Sequence, residues 1–159
     1  MELSFEVKIT PQVLYDYLLY HTYTTASGLL GSVVGALLVV AFFMTYKALY
    51  LIFGLIILLY LPWTLFLRSR KQYLDNSAFK EPLSYVLNEE GITVAQNEEK
   101  QTVSWDALYK AVSTSKSIIV YTSPVNATIF PKNDLGDKLP LLIETISTHM
   151  PAKKVKIRG

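Results

Sequence analysis

Histidine and carboxylate side chains are the groups in this chain that could bind a metal or transfer a proton, but their spacing favours neither role. The 159 residues include two histidines and no cysteine. His21 precedes a long apolar segment and His149 lies near the end of the chain, so they do not form a ligand pair such as H-E-x-x-H. The adjacent acids Glu89-Glu90 and Glu98-Glu99 lie in predicted polar turns and match no calcium-binding loop. We predict no catalytic residue, no metal site and no cofactor, and hence a protein that is not an enzyme.

Two aromatic side chains and one lysine remain as candidates for binding a partner. Trp105 ends a predicted strand over residues 100–105, Tyr109 lies in the apolar segment 106–112 that follows it, and both could line a groove for a peptide. An aromatic side chain in a small sheet more often belongs to the core than to a ligand site, so both interpretations stay open. Lys132 follows a predicted strand at a turn. We expect Trp105, Tyr109 and Lys132 to mark a candidate partner surface.

Two long segments without charged residues precede the candidate partner surface and must determine where it lies. Residues 26–44 and 48–67 contain no Asp, Glu, Lys, Arg or His, and residues 45–47 are all that join them. As helices, each segment is about 30 Å long, the thickness of a bilayer core. Lipid offers the backbone no hydrogen bonds, so segments in a bilayer must be helical. The pattern predicts a transmembrane helical hairpin over residues 26–67.

The distribution of basic residues predicts the orientation of this hairpin. The short link has one basic residue, Lys47, whereas Arg68, Arg70 and Lys71 follow directly after the second segment. Basic residues are retained on the cytoplasmic side, so we expect a multi-pass protein of the bacterial cell membrane with both termini in the cytoplasm. A cleaved signal peptide is the alternative for the first segment, but the acidic residues near the N-terminus and the late start of the segment disfavour it.

Small residues line one side of the first segment. Gly28, Gly31 and Gly35 lie there, and Gly31 and Gly35 form a G-x-x-x-G spacing that lets two helices approach closely. Packing against the second segment near Gly54 is the favoured interpretation. Self-association, which would make the protein a homo-oligomer, is the alternative.

The remaining residues predict a small α+β domain. Residues 1–25 combine a strand of alternating polarity with an amphipathic helix that begins at Pro11. This helix could lie in the membrane interface or pack under the domain. Residues 68–150 begin with a helical continuation of the second segment, followed by short strands typical of an antiparallel sheet or small barrel. A final helix, capped by Asp134 or Asp137, ends before Pro151, and residues 151–159 form a basic tail that we expect to be frayed.

Three short motifs give the chain a resemblance to a known family. They are Tyr85-x-Leu87-x-Glu89-x-Gly91-Ile92, Ser104-Trp105-x-x-Leu108 and Ile129-Phe130-Pro131-Lys132. Their order after a strand, a helix and two apolar segments resembles the YcxB-like family of small bacterial membrane proteins. The resemblance implies a cytoplasmic domain similar to a pleckstrin-homology (PH) fold, a bent antiparallel sheet capped by a C-terminal helix, which the N-terminal strand may join. It implies no catalytic residue, and Asn133 stands where the family commonly has a basic residue.

These features favour a non-enzymatic, membrane-anchored interaction or regulatory module. Its cytoplasmic domain would bind a protein or lipid partner at the inner leaflet. The alternative is an immunity protein, whose helices neutralise a membrane-acting bacterial toxin within the bilayer. The net charge of +2 is too small to favour nucleic acid as a partner.

Overall fold

The computed structural model describes residues 2–97 and 99–157. Met1, Glu98, Arg158 and Gly159 lie outside the described residues, and with them part of the predicted polar turn at 96–99 and the end of the predicted tail. The helices are α1 Pro11–Tyr23, α2 Ala26–Thr45, α3 Ala48–Asp75, α4 Lys132–Leu135 and α5 Leu139–His149. The strands are β1 Leu3–Val7, β2 Leu83–Leu87, β3 Gly91–Gln96, β4 Glu99–Ser104, β5 Lys110–Ser113, β6 Ser117–Tyr121, β7 Ala127–Pro131 and β8 Val155–Lys156. The chain therefore has the predicted α+β class.

Two four-stranded sheets form the domain. The first has the order β1-β2-β3-β4, with all neighbours antiparallel, and the second has the order β7-β6-β5-β8, in which only β8 runs parallel to its neighbour. Strand β1 precedes the two apolar helices and β2 follows them, yet the two pair over their whole length, with Phe5 opposite Tyr85. The helices are thus an insertion between two adjacent strands of one sheet.

One hydrophobic core joins both sheets and α5. Strand β1 alternates buried and exposed residues, as expected for a strand with one face in a core. Its Phe5 ring packs edge-on against Phe130 of the second sheet at 5.5 Å between centroids, and Tyr85 meets the same ring at 4.9 Å. Leu142 and Ile146 of α5 are fully buried in this core. Helix α5 therefore closes the domain.

The predicted pair of long apolar helices is present as α2 and α3. Only 11% of the apolar stretch of each helix is buried, so neither is the core helix of a soluble domain. Tyr46 adopts a left-handed conformation (φ 54°) directly after α2, which reverses the chain for α3. Pro62 lies inside α3, where it lacks the N–H that would reach the carbonyl of residue 58.

Helix α1 connects these helices to the domain. Thr10 caps it by accepting a hydrogen bond from the Val13 N–H, and Pro11 occupies its first position, as the sequence predicts. Tyr15 packs edge-on against Phe66 of α3 at 5.8 Å, and on another side Tyr17 lies 6.2 Å from the ring of Tyr121 in β6. The helix is wedged between α3 and the second sheet.

The C-terminal part differs from the sequence-based expectations at two points. Lys138, not Asp134 or Asp137, precedes α5, and no side chain caps its N-terminus. Asp134 instead accepts a hydrogen bond from the backbone N–H of Lys8 at 2.8 Å. The tail is not frayed over its described residues, because β8 pairs with β5 and the Nζ of Lys154 donates to the Leu108 carbonyl at 2.8 Å.

Candidate membrane-facing interface

Two glycines allow α2 and α3 to pack closely against each other. A Cβ atom at Gly54 would lie 2.9 Å from Val39 Cγ2 and 3.0 Å from the backbone oxygen of Gly35. A Cβ atom at Gly35 would lie 2.8 Å from Leu58 Cγ. Real Cβ atoms essentially never come this close to a heavy atom, so the crossing depends on the absence of both side chains. Gly35 thus contacts the second apolar helix of its own chain.

The other two glycines of the predicted set have different surroundings. A Cβ atom at Gly28 would collide with the backbone carbonyl of Thr22, so Gly28 lets the end of α1 pack on the start of α2. A Cβ atom at Gly31 would meet nothing nearer than Leu61 Cδ1 at 4.0 Å. Of the G-x-x-x-G pair, only Gly35 is therefore needed for contact between the two helices.

Tyr121 lies at the centre of the junction between α1 and the second sheet. Its ring stacks on His21 at 6.0 Å, and its hydroxyl lies 3.4 Å from His21 Nδ1. The ammonium of Lys110 lies 4.5 Å from the centroid of the same ring, a distance typical of a cation–π interaction. Burial, together with the nearby hydroxyls of Tyr17 and Tyr20, raises the pKa of Tyr121. This packing fixes α1, and through it the apolar helices, to the domain.

An apolar groove runs along α3 beside α1. It has a volume of about 730 Å³, and its lining includes Tyr15 of α1 together with Leu55, Leu59, Trp63 and Phe66 of α3. These α3 residues are spaced three or four apart and so share one helical face. This groove was not predicted from the sequence, although the aromatic residues repeating at helical spacing indicate it.

Trp105, the first residue of the predicted partner surface, belongs to the core. Its side chain is only 5% exposed and its Nε1 donates to the Asn88 carbonyl at 2.8 Å. His149 stacks on its outer side at 4.8 Å, and His149 Nε2 lies 3.4 Å from a carboxylate oxygen of Glu89. Of the two interpretations of Trp105, the structure selects the core one, and the ring offers no surface to a partner.

Tyr109 and Lys132 lie at opposite ends of β5. Tyr109 is half exposed, and its N–H extends the β5–β6 ladder by donating to the Tyr121 carbonyl. The Nζ of Lys132 donates to the Thr114 carbonyl at 2.7 Å, in the turn that follows β5. Thr114 follows Tyr109 by five positions, which is about 16 Å along an extended strand. The structure therefore does not bring the three predicted residues together into one surface.

A different surface of the domain is open for pairing. Strand β4 is the last strand of its sheet, and five of its six residues are exposed. In contrast, at the opposite edge of the same sheet, the Nζ of Lys138 donates to the Ser4 carbonyl of β1. The charged and polar sequence EKQTVS of β4 is typical of an edge strand, so this edge could have been predicted from sequence.

Within the part of the chain that the structure describes, no group of three or more His, Asp or Glu side chains is placed to hold a metal ion. The model of the YcxB-like protein family matches residues 87–146, from the end of β2 to α5. No curated protein and no solved structure matches the chain. The match lies within the domain that carries the three motifs, and it confirms that residues 87–146 resemble the YcxB-like protein family.

Proposed function

We propose that this protein is a non-enzymatic interaction module that a transmembrane hairpin holds against the cytoplasmic leaflet of a bacterial membrane. The pairing of β1 with β2 is the observation that carries this proposal. Because the strands on either side of α2 and α3 belong to one sheet, both must lie on the same side of any membrane that the helices cross. Two spans satisfy this condition, and a single span does not.

The basic residues support the cytoplasmic orientation. Arg68, Arg70 and Lys71 are exposed on the part of α3 that enters the domain, whereas Lys47 is the one basic residue at the turn between the helices. Basic residues close to a span favour the cytoplasmic side. The domain then lies inside the cell, and the turn at residues 46–47 lies outside.

The order of the elements supports a PH-like architecture for the domain. Four antiparallel strands form the first sheet, three more antiparallel strands form most of the second, and α5 packs on the core that both share. The family resemblance implies a bent antiparallel sheet capped by a C-terminal helix, and two antiparallel sheet regions with a helix on their shared core are compatible with that fold. Such a domain would supply a stable surface for a partner.

We infer that the exposed edge of β4 is where a protein partner binds. An edge strand presents backbone N–H and C=O groups that an extended segment of a partner can pair with. Anchoring the domain at the membrane raises its effective concentration toward other membrane proteins without any added contact. The partner is therefore expected to be a membrane or membrane-proximal protein.

Site-specific photocrosslinking in cells tests this proposal. A photoreactive amino acid at Gln101, exposed in β4, should give a discrete protein adduct, and the same amino acid at Glu144, exposed on α5, should not. Equal adducts at both positions, or none at Gln101, would contradict binding at the β4 edge.

A chimera separates this module from the immunity alternative. Residues 26–67 are replaced by an unrelated two-span hairpin of the same length, and the crosslink at Gln101 is measured again. An adduct that persists supports recognition by the cytoplasmic domain. An adduct that disappears while the chimera still reaches the membrane would instead favour recognition by the apolar helices, as an immunity protein requires.

A further inference from the structure

We propose that the groove between α1 and α3 is a binding site for one anionic phospholipid of the cytoplasmic leaflet. The inference rests on the proposed insertion of α2 and α3 into a membrane. The groove would hold an acyl chain of the lipid, and Arg70 would hold its phosphate. Three observations carry the argument: the length of the groove, its lining, and the position of the cation at its end.

The length of the groove matches one leaflet. Its lining on α3 extends from Leu55 to Phe66, which is about 16 Å along the helix axis. Half of a bilayer core is about 15 Å thick. Phe66 lies at the end of the apolar segment that is followed by Arg68 and Arg70, so the groove spans the half of the membrane nearest the domain.

The apolar lining of the groove suits a hydrocarbon chain. Leu55, Leu59, Trp63 and Phe66 form the floor, and Tyr15 of α1 packs edge-on against the Phe66 ring to form a side. Helix α1 is itself fixed to the second sheet through Tyr17 and Tyr121. Tyr15 therefore gives the end of the groove near the domain a fixed side that the face of an isolated helix would lack.

Arg70 lies at the cytoplasmic end of the groove. Its guanidinium carbon is 4.7 Å from the centroid of the Phe66 ring, so a cation directly follows the last aromatic residue of the lining. The residues that line the adjoining surface around Arg70 are Pro11, Gln12, Tyr73 and Leu74, and none of them is acidic. No carboxylate among the described residues forms an ion pair with Arg70. An anionic phosphate at this position would meet an arginine that contacts the Phe66 ring and has no competing carboxylate among the described residues.

Tryptophan fluorescence provides a direct test, because Trp63 lies in the groove and the other tryptophan, Trp105, is buried in the domain. The full chain is reconstituted in phosphatidylcholine vesicles that contain a fixed minor fraction of phosphatidylglycerol. Bromine, which quenches tryptophan on contact, is carried either by the anionic lipid or by an equal fraction of the zwitterionic lipid. The measurement is repeated with Trp105→Phe, so that Trp63 is the sole emitter.

We expect brominated phosphatidylglycerol to occupy the groove about fivefold more than brominated phosphatidylcholine does, the preference that one basic residue near a membrane surface provides. Arg70→Gln should abolish this preference. Lys71→Gln removes the same charge from a residue that lines a different, polar surface with Arg68 and Asp75, and should retain it.

Each contrary outcome has a distinct meaning. Equal quenching by the two brominated lipids, or an equal loss in Arg70→Gln and Lys71→Gln, would overturn the lipid site while leaving membrane insertion intact. No quenching of Trp63 by either lipid would show that α3 is not in the bilayer. That result would contradict the proposed function itself.

Discussion

The close approach of α2 and α3 predicts that one methyl group at Gly54 separates the two helices. In Gly54→Ala the new Cβ would lie 2.9 Å from Val39 Cγ2, 3.0 Å from the Gly35 carbonyl oxygen and 3.1 Å from the Val39 backbone nitrogen. Two of these three atoms belong to the backbone of α2 and cannot rotate away. One helix must therefore shift relative to the other.

The magnitude follows from comparison with Gly31. Overpacking a tight contact costs about 1–3 kcal/mol, whereas replacing glycine by alanine inside a helix gains up to about 1 kcal/mol. At Gly31 the nearest atom to a new Cβ is 4.0 Å away, an ordinary contact. Gly31→Ala therefore keeps the propensity gain without the clash. Both variants share the gain in helix propensity, so this gain drops out when their free energies of unfolding are compared. We expect Gly54→Ala to be less stable than Gly31→Ala by about 2 kcal/mol.

Reversible unfolding in mixed detergent micelles measures this difference. The fluorescence of Trp63, which lies in α3, reports on the helix pair during titration with a denaturing detergent. A difference below about 0.5 kcal/mol between the two variants, the usual effect of a substitution outside any special contact, would refute the packing argument. Greater destabilisation by Gly31→Ala would favour the self-association interpretation of the G-x-x-x-G spacing.

Three further predictions concern the domain and can be checked by unfolding of the full chain in detergent. Trp105→Phe should cost about 1–3 kcal/mol, because it leaves the Asn88 carbonyl without its indole donor, and an unchanged stability would contradict that role. Burial raises the pKa of Tyr85 from 10.0 to about 12. The unfolded chain therefore loses this proton first, and the stability of the fold should decrease between pH 10 and 12. Tyr85→Phe should reduce this decrease, and an identical pH profile would contradict the assignment to Tyr85. Lys132→Met should lower the free energy of unfolding by about 1 kcal/mol through loss of the hydrogen bond to the Thr114 carbonyl, and the crosslink at Gln101 should persist. Loss of the crosslink at unchanged stability would indicate that Lys132 contacts the partner.

The sequence predicted local elements well where one physical constraint decides them. The absence of charge over residues 26–44 and 48–67 predicts two apolar helices, and α2 and α3 begin at the predicted residues, Ala26 and Ala48. The two-residue period of β1 and the Thr10-Pro11 start of α1 were equally clear. In each case the information lies within a few consecutive residues.

Features that depend on distant contacts could not be predicted in the same way. The stretch 153–156 is short and carries three lysines, and only the pairing of Val155 and Lys156 with β5 makes part of it a strand. Asp134 has the residue type of a helix cap, but the N–H that it binds belongs to Lys8, at the other end of the chain. The sequence left Trp105 undecided between the core and a partner surface for a related reason. The burial of its side chain depends on α5, a distant element that contributes the stacked His149.

The chain contains no cysteine, so single cysteines can report directly on which side of the membrane each part lies. Lys47→Cys is at the turn between the apolar helices, Ser4→Cys is in β1, and Gln101→Cys is in β4. A membrane-impermeant maleimide should label residue 47 in intact bacterial cells, and should label residues 4 and 101 only after the cells are opened. Protection of residue 47, or labelling of residues 4 and 101 from opposite sides, would contradict a hairpin inserted between two strands of one cytoplasmic sheet.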